Sequence, residues 1–128
     1  MQKQFRGLRK PTGGLYHKLR KTKKRDLGRD FRPVHLSPQK AKNMKTLGGG
    51  QKTILLAADI AHVLDPATHT VKKAKIITVK GNPANPHFVR MNVLTKGAIV
   101  ETEIGLAKVT SRPGQHGTIN AVLLQKKA

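Results

Sequence analysis

The chain has 128 residues and a mass of 14.0 kDa, the size of one small domain with room for an extension. Lys and Arg number 26 against 6 Asp and Glu, a formal net charge of +20. Such an excess repels itself in a compact state unless a polyanion neutralises it, which argues against a free-standing soluble enzyme and for a nucleic-acid partner, with an anionic membrane surface as the lesser alternative.

Cysteine is absent, so disulfides, thiol catalysis and Cys-ligated zinc are excluded. The start, Met1 to Arg6, is basic but no apolar stretch follows it, so no signal peptide is expected. Residues 1–50 hold 15 of the basic residues and only 13 apolar ones, whereas 51–128 hold 34 apolar residues. The first part cannot bury enough apolar surface to offset its ordering entropy, so it reads as an extended, basic RNA-binding extension. The expected organisation is an extension over 1–50, a β-domain over 51–125 and a short basic end at 126–128. The boundary falls near Gly48-Gly49-Gly50, where the backbone is permissive.

Within the extension, Arg6 to Arg32 is dense in cations, and Phe5, Tyr16 and Phe31 lie in it or at its edge. Cations neutralise phosphates, and aromatic faces stack on splayed bases. Residues 15–27 place Lys and Arg all round a helical projection between glycines, which speaks against a membrane-bound amphipathic helix. Gly48-Gly49-Gly50-Gln51-Lys52-Thr53 superficially resembles a phosphate-binding loop. It has Gln51 where glycine must precede Lys-Thr, and no strand before it, so a hinge is expected instead.

Residues 52–64 fit a helical stripe and a strand face equally well. Asp65-Pro66-Ala67-Thr68-His69 has turn chemistry, and Thr70 to Val79 is β-branched, so a hairpin is expected and 52–64 reads as strand. Asn85 is placed to cap a short helix with Pro86 at its first position, ending near Asn92. Ala98–Ile104 and Leu106–Ser111 form a hairpin about Gly105. Arg112 to Gly117 is a turn in which Pro113 presets the bend and Gly114 can take a positive φ at little cost, and Thr118–Leu124 is the last strand. Short strands with Gly/Pro turns give a mainly β class, a small antiparallel β-barrel with a long basic N-terminal tail.

Glu101 and Glu103 share a strand face, the one arrangement that suggests acid–base chemistry; a solvated face or counter-charges for nearby cations explain them more simply. The histidines (His17, His35, His62, His69, His87, His116) lack ligand spacing, so no metal site is expected. Arg112 either offers its guanidinium fork to RNA or pairs with Glu101 or Glu103.

Several blocks carry a family resemblance: Arg9-Lys10-Pro11-Thr12-Gly13-Gly14, Leu27-Gly28-Arg29, the Gly-rich joint before Lys52, Asp65-Pro66 and Asn82-Pro83-Ala84-Asn85. The most specific are Thr95 to Thr102 and Val109 to Gln115. In this order they resemble the S-eight-e ribosomal proteins of the archaeal and eukaryotic small subunit, in their short archaeal form. The chain departs from the family pattern at the joint, where Gln51 follows the glycines in place of asparagine and Lys52-Thr53-Ile54-Leu55-Leu56 stands in place of further arginines, and at His116, where an acidic residue precedes the last glycine. The resemblance implies a β-barrel whose extension threads along small-subunit ribosomal RNA, neighbouring small-subunit proteins as partners, and a cytoplasmic location within the ribosome. It implies no catalysis, cofactor, metal, membrane or small-molecule substrate. The residues expected to meet RNA are Arg6, Arg9, Lys10, Thr12, Gly13, Gly14, His17, Lys18, Arg20, Lys21, Lys23, Lys24, Arg25, Arg29, Arg32, Lys45, Lys52 and Arg112. The alternatives are a ribosome-assembly factor of the same domain type, a chromatin-type DNA binder, and a β-barrel enzyme using Glu101 and Glu103.

Overall fold

The computed structural model describes residues 7–17, 21, 23, 27, 28 and 30–126. The chain divides into two compact units, Met1–Phe31 and Arg32–Ala128. In the second unit β1 (Lys40–Lys45) and β2 (Gln51–Ala57) form a two-stranded ribbon. A closed barrel follows, of β3 (Ile60–Asp65), β4 (Thr70–Gly81), β5 (Ile99–Thr102), β6 (Gly105–Val109) and β7 (Asn120–Lys126), with the one-turn helix α1 (His87–Arg90) between β4 and β5.

The barrel is a meander, so neighbours in sequence pair antiparallel. This is the small antiparallel barrel expected from the sequence, and only its closing pair is parallel: His62, Val63 and Leu64 of β3 face Asn120, Ala121 and Val122 of β7. With five strands alternating in direction, the first and last necessarily run the same way.

Alternation places one side chain in two inside the wall. Ala61 and Val63, Ala74 and Ile76, Ala107 and Val109, and Ala121 and Leu123 point inward and are buried. A five-strand barrel is narrow, and alanine from four of its strands leaves room for the larger Val, Ile and Leu. Each of those larger side chains contributes about 1.5–3 kcal/mol through burial. Thr102 is fully buried too, and its hydroxyl donates to Gly105 O at 2.7 Å, which satisfies it inside the β5–β6 hairpin.

Bulges adjust the circumference. Between the pairs Ile76–Thr102 and Thr78–Glu101, β4 has one residue more than β5. Ile77 is the extra residue, and the inward phase moves from Ile76 to Val79. Leu124 is the extra residue between the pairs Leu106–Gln125 and Ala107–Leu123. Beside the β4 bulge, Asn92 Oδ1 accepts from Val79 N at 3.3 Å.

The long apolar run breaks where the chain passes from ribbon to barrel. Ala58 is buried, and Asp59 O accepts from Ile76 N at 2.8 Å. One end of the barrel is closed by residues 34–36, which lie between the end of β2 and the segment after α1. His35 bridges both Ala57 and Val93. His35 N donates to Leu56 O at 3.2 Å, and Leu94 N donates to Val34 O at 2.8 Å. Val34 is 1% exposed and belongs to the same core as Leu55, Leu94 and the barrel interior. The stretch 32–50 read from sequence as extension thus contains a core residue and β1, and the glycine triplet 48–50 lies in the ribbon's turn.

The expected helix shortens to one turn, yet its start is as anticipated. Asn85 Oδ1 accepts from His87 N at 2.9 Å and Asn85 O accepts from Phe88 N at 3.0 Å, with Pro86 in helical conformation between them. The loop before it is held by buried Asn82, which donates to Val93 O and accepts from Ala84 N and Thr95 Oγ1. The expected turn at 65–69 forms, with Asp65 Oδ1 accepting from Ala67 N at 3.0 Å. The other oxygen of Asp65 meets Lys126 Nζ at 2.8 Å and ties the end of β7 to the end of β3. The Lys126 hydrogen bond first, then the Ala67 N–H, hold the Asp65 carboxyl below its ordinary value of 3.8, against a smaller opposing effect of desolvation.

Val34→Ala is expected to destabilise the full chain by about 2 kcal/mol, the cost of emptying a buried apolar site, in denaturant unfolding. An exposed residue of an extension would give no such loss. Asp65→Asn is expected to lower stability at neutral pH. Because the folded carboxyl is depressed, the wild-type advantage is full above the ordinary value of 3.8 and fades as pH falls below it towards the folded value. Thermal melts of both proteins between neutral and strongly acidic pH measure this, and a pH-independent difference would contradict it.

Candidate nucleic-acid interface

In the first unit the expected contacts Arg9 to Gly14 form a short hairpin. Arg9 bridges Leu15 antiparallel, and Lys10 O accepts from Gly13 N at 3.0 Å. Pro11 suits the second position of the turn, and Gly13 takes a φ of 85°, which a side chain would resist. Arg9 Nη1 donates to Gly13 O at 2.8 Å, and Lys10 Nζ lies 5.9 Å from the centre of the Tyr16 ring. Thr12, Gly14, His17, Lys21 and Lys23 are exposed. Arg6, Lys18, Arg20, Lys24, Arg25 and Arg29 lie outside the described residues.

In the second unit the ribbon and the loop after β6 meet. Leu55 N of β2 donates to Pro113 O at 3.1 Å, so the loop runs along the edge of β2 that β1 leaves free. The Lys52 ammonium donates to the side-chain carbonyl of Gln115. Arg32 Nη1 points to Met44 Sδ at 3.0 Å, and Met44 pairs across the ribbon with Lys52. Arg32 O lies 3.6 Å from where a Cβ on Gly114 would stand. Arg32, Lys52 and Arg112 are thus brought into one neighbourhood from stretches far apart in sequence. Directly opposed residues share a face, so Lys42, opposite Ile54, lies on the same ribbon face as Met44 and Lys52. Lys45 pairs with Gln51 on the other face and does not join them.

The expected turn forms at 112–117, with Pro113 at its second position and one further bond beyond the simple bend. Gln115 N and His116 N both donate to Arg112 O, at 2.8 and 2.9 Å, which is a single helical turn. Gly114 accordingly is not among the glycines with positive φ. Pro113 is buried and anchors the loop, while Arg112 is exposed. Among the described residues Arg112 has no carboxylate partner. Glu101 is 3.1 Å from Lys80, and Glu103 lies past the end of β5, exposed. The two glutamates therefore do not form the shared strand face expected of them.

Sequence reasoning missed Lys42 and Gln115. The alternation Lys40-Ala41-Lys42-Asn43-Met44 is a strand period, but it lacks the apolar face that marks strands by burial. Among the described residues no cluster of three or more His, Asp or Glu has a geometry to hold a metal ion. Residues 32–58 contain five cations and no Asp or Glu, so the ribbon presents positive charge without internal compensation. Such a surface contacts phosphates with little geometric demand, while the Arg112 fork adds a bidentate or stacking donor at its rim.

The chain resembles known proteins along nearly its whole length. The model of the family described as ribosomal protein S8e matches residues 3–124. A small ribosomal subunit protein eS8 of Methanococcus aeolicus is 49% identical over 119 residues, covering 92% of this chain and 93% of the relative. The eS8 of Methanospirillum hungatei is 46% identical over 125 residues, covering 98% and 100%. That of Methanoculleus marisnigri is 45% identical over 124 residues, covering 97% and 99%. A match of this extent takes in the hairpin of the first unit, the ribbon and the whole barrel, and the chain belongs to the ribosomal protein S8e family.

Proposed function

We propose that this protein is a structural constituent of the small ribosomal subunit that binds and stabilises small-subunit ribosomal RNA, working in the cytoplasm among neighbouring small-subunit proteins. The observation that carries the reading is the gathering of Arg32, Lys42, Lys52 and Arg112 around a ribbon with no carboxylate of its own. The names of the archaeal relatives support it.

The physical account follows from where the cations stand. The barrel and its buried Val34 fix the backbone at 34–36, so the Arg32 end of this unit is held at the cluster. The preceding 31 residues carry 11 further Lys and Arg. These side chains displace the condensed counterions of the RNA phosphates into solution, which gives affinity without base reading. The hairpin at Arg9–Gly14, Lys42 and Lys52 serve as phosphate contacts, and Arg112 and Tyr16 serve where planar groups stack. No catalytic residue, cofactor or metal enters this function.

Binding to a small-subunit ribosomal RNA fragment, measured against salt, tests the reading. If about six phosphates are neutralised, the log–log slope is about −4 to −5, and Lys42→Ala makes it shallower by about 0.7–0.9. A slope near zero sinks the reading. Arg112→Lys separates the two roles considered for that residue. Affinity for the fragment is expected to fall while the melting temperature of the free protein stays put; the reverse pattern makes Arg112 a barrel residue.

A further inference from the structure

Among the described residues of the second unit, five large hydrophobic side chains remain exposed, and four of them lie on three adjacent barrel strands. These are Ile60 on β3, Val71 and Ile77 on β4, and Leu124 on β7, between 46% and 61% exposed. Register makes one face of them. Leu64 of β3 stands opposite Val71 on one side and Val122 on the other, so an apolar row crosses all three strands. Lys73 and Lys75 follow Val71 on the same side of β4. The polar row Asn120–His62–Lys73 divides the apolar groups, with Leu64, Val71, Val122 and Leu124 on one side and Ile60 and Ile77 on the other, and exposed apolar groups interleaved with cations in this way mark an interaction surface.

We propose that the outer face of β7, β3 and β4 docks a protein segment that carries apolar side chains beside carboxylates, within the particle where this chain works. Charge complementarity selects that occupant. β3, β4 and β7 contain one carboxylate, Asp65; it has the inward-facing parity and is engaged by Lys126. Lys73 and Lys75 are exposed, and among the described residues neither ammonium has an ion-pair partner. An acidic partner neutralises both while its apolar groups cover Val71, Ile77 and Leu124.

RNA fits this face poorly. Phosphates gain nothing from covering aliphatic side chains, and a base seeks a planar platform. None of the three strands has Phe, Tyr or Trp, and the one planar side chain of the face, His62, is half-buried between Lys73 and Asn120. Within this unit, the RNA contacts proposed above lie at Arg32, on the ribbon and on the 112–117 loop, where no such apolar row occurs.

The test uses purified small subunits that contain the full chain, treated with a zero-length carbodiimide. This reagent joins a lysine amine to a contacting carboxylate as an amide and does not join it to the phosphodiesters of an RNA chain. The expected products link Lys73 or Lys75 to Asp or Glu of another subunit protein, and acylation of both lysines is several-fold slower than in the free chain. Val71→Glu with Ile77→Glu, at exposed positions, is expected to abolish those products and lower occupancy in subunits while leaving affinity for the RNA fragment unchanged. Absence of the products, acylation at the free-chain rate, or ultraviolet crosslinks from β4 to RNA would overturn the proposal. It rests on the chain being a small-subunit constituent: a chain missing from the subunits overturns both, whereas a chain present with open lysines overturns this one alone.

Discussion

An odd number of strands in an up-and-down barrel leaves the first and last pointing the same way, and here that parity decides where every connection goes. β3 and β7 must close in parallel, joined through His62–Leu64 and Asn120–Val122. The strand starts of β3, β5 and β7 therefore gather at one end. That end receives the entry from β2, the long loop 82–98 with its helix, and the loop 110–119. The other end has only the tight turns at 66–69 and 103–104 and the exit of β7. The barrel is consequently two-ended in kind. One end is built from long segments that need their own packing, supplied by Val34, Leu55 and Leu94; the other is fastened by the carboxylate–ammonium contact between Asp65 and Lys126 and by the Thr102 hydroxyl on Gly105 O.

The cation cluster is a product of the same parity. Arg112 lies in a loop that must return to the entry end, and Lys52 lies in the strand that delivers the chain to it. Neither the hydrogen bond from Lys52 to Gln115 nor the backbone bond from Leu55 to Pro113 has any local cause. Both follow once the loop is confined to the edge of β2. Of the four clustered cations, Arg32 and Arg112 sit on irregular segments and Lys42 and Lys52 on the ribbon, all of them positioned by the barrel wall.

Much of this was legible in the chain. The β3–β4 and β5–β6 hairpins, the cap by Asn85 and the barrel class could be read because burial alternates with period 2 and turn residues punctuate it. Family likeness, carried by the blocks around Thr95–Thr102 and Val109–Gln115, pointed to the ribosome. What could not be read was structure without a burial signal. β1 is joined to β2 by backbone bonds but buries almost none of its side chains, so Lys40–Lys45 looked like tail. Val34 and Leu36 stand in a short stretch with no periodic apolar pattern, and the burial of Val34 depends on partners about 20 and 60 residues away, in β2 and after α1. The parallel closure, the helical form of the turn at Arg112 and the separation of Lys45 from Lys52 depend likewise on register, which composition does not encode.

The bulges have a consequence beyond fitting five strands into a ring. A spare residue in a barrel wall has no room inside, so Ile77 and Leu124 are turned outward, one from the β4–β5 ladder and one from the β6–β7 ladder. Each is the side chain of an inserted residue that shifts the register of its ladder, the β4–β5 ladder having a second insertion at Lys80. A body that grips both from outside therefore resists slippage of two seams together, much as a band around a cask holds staves that do not touch the band's own joint. Stiffness of the barrel wall is then a property conferred partly from without.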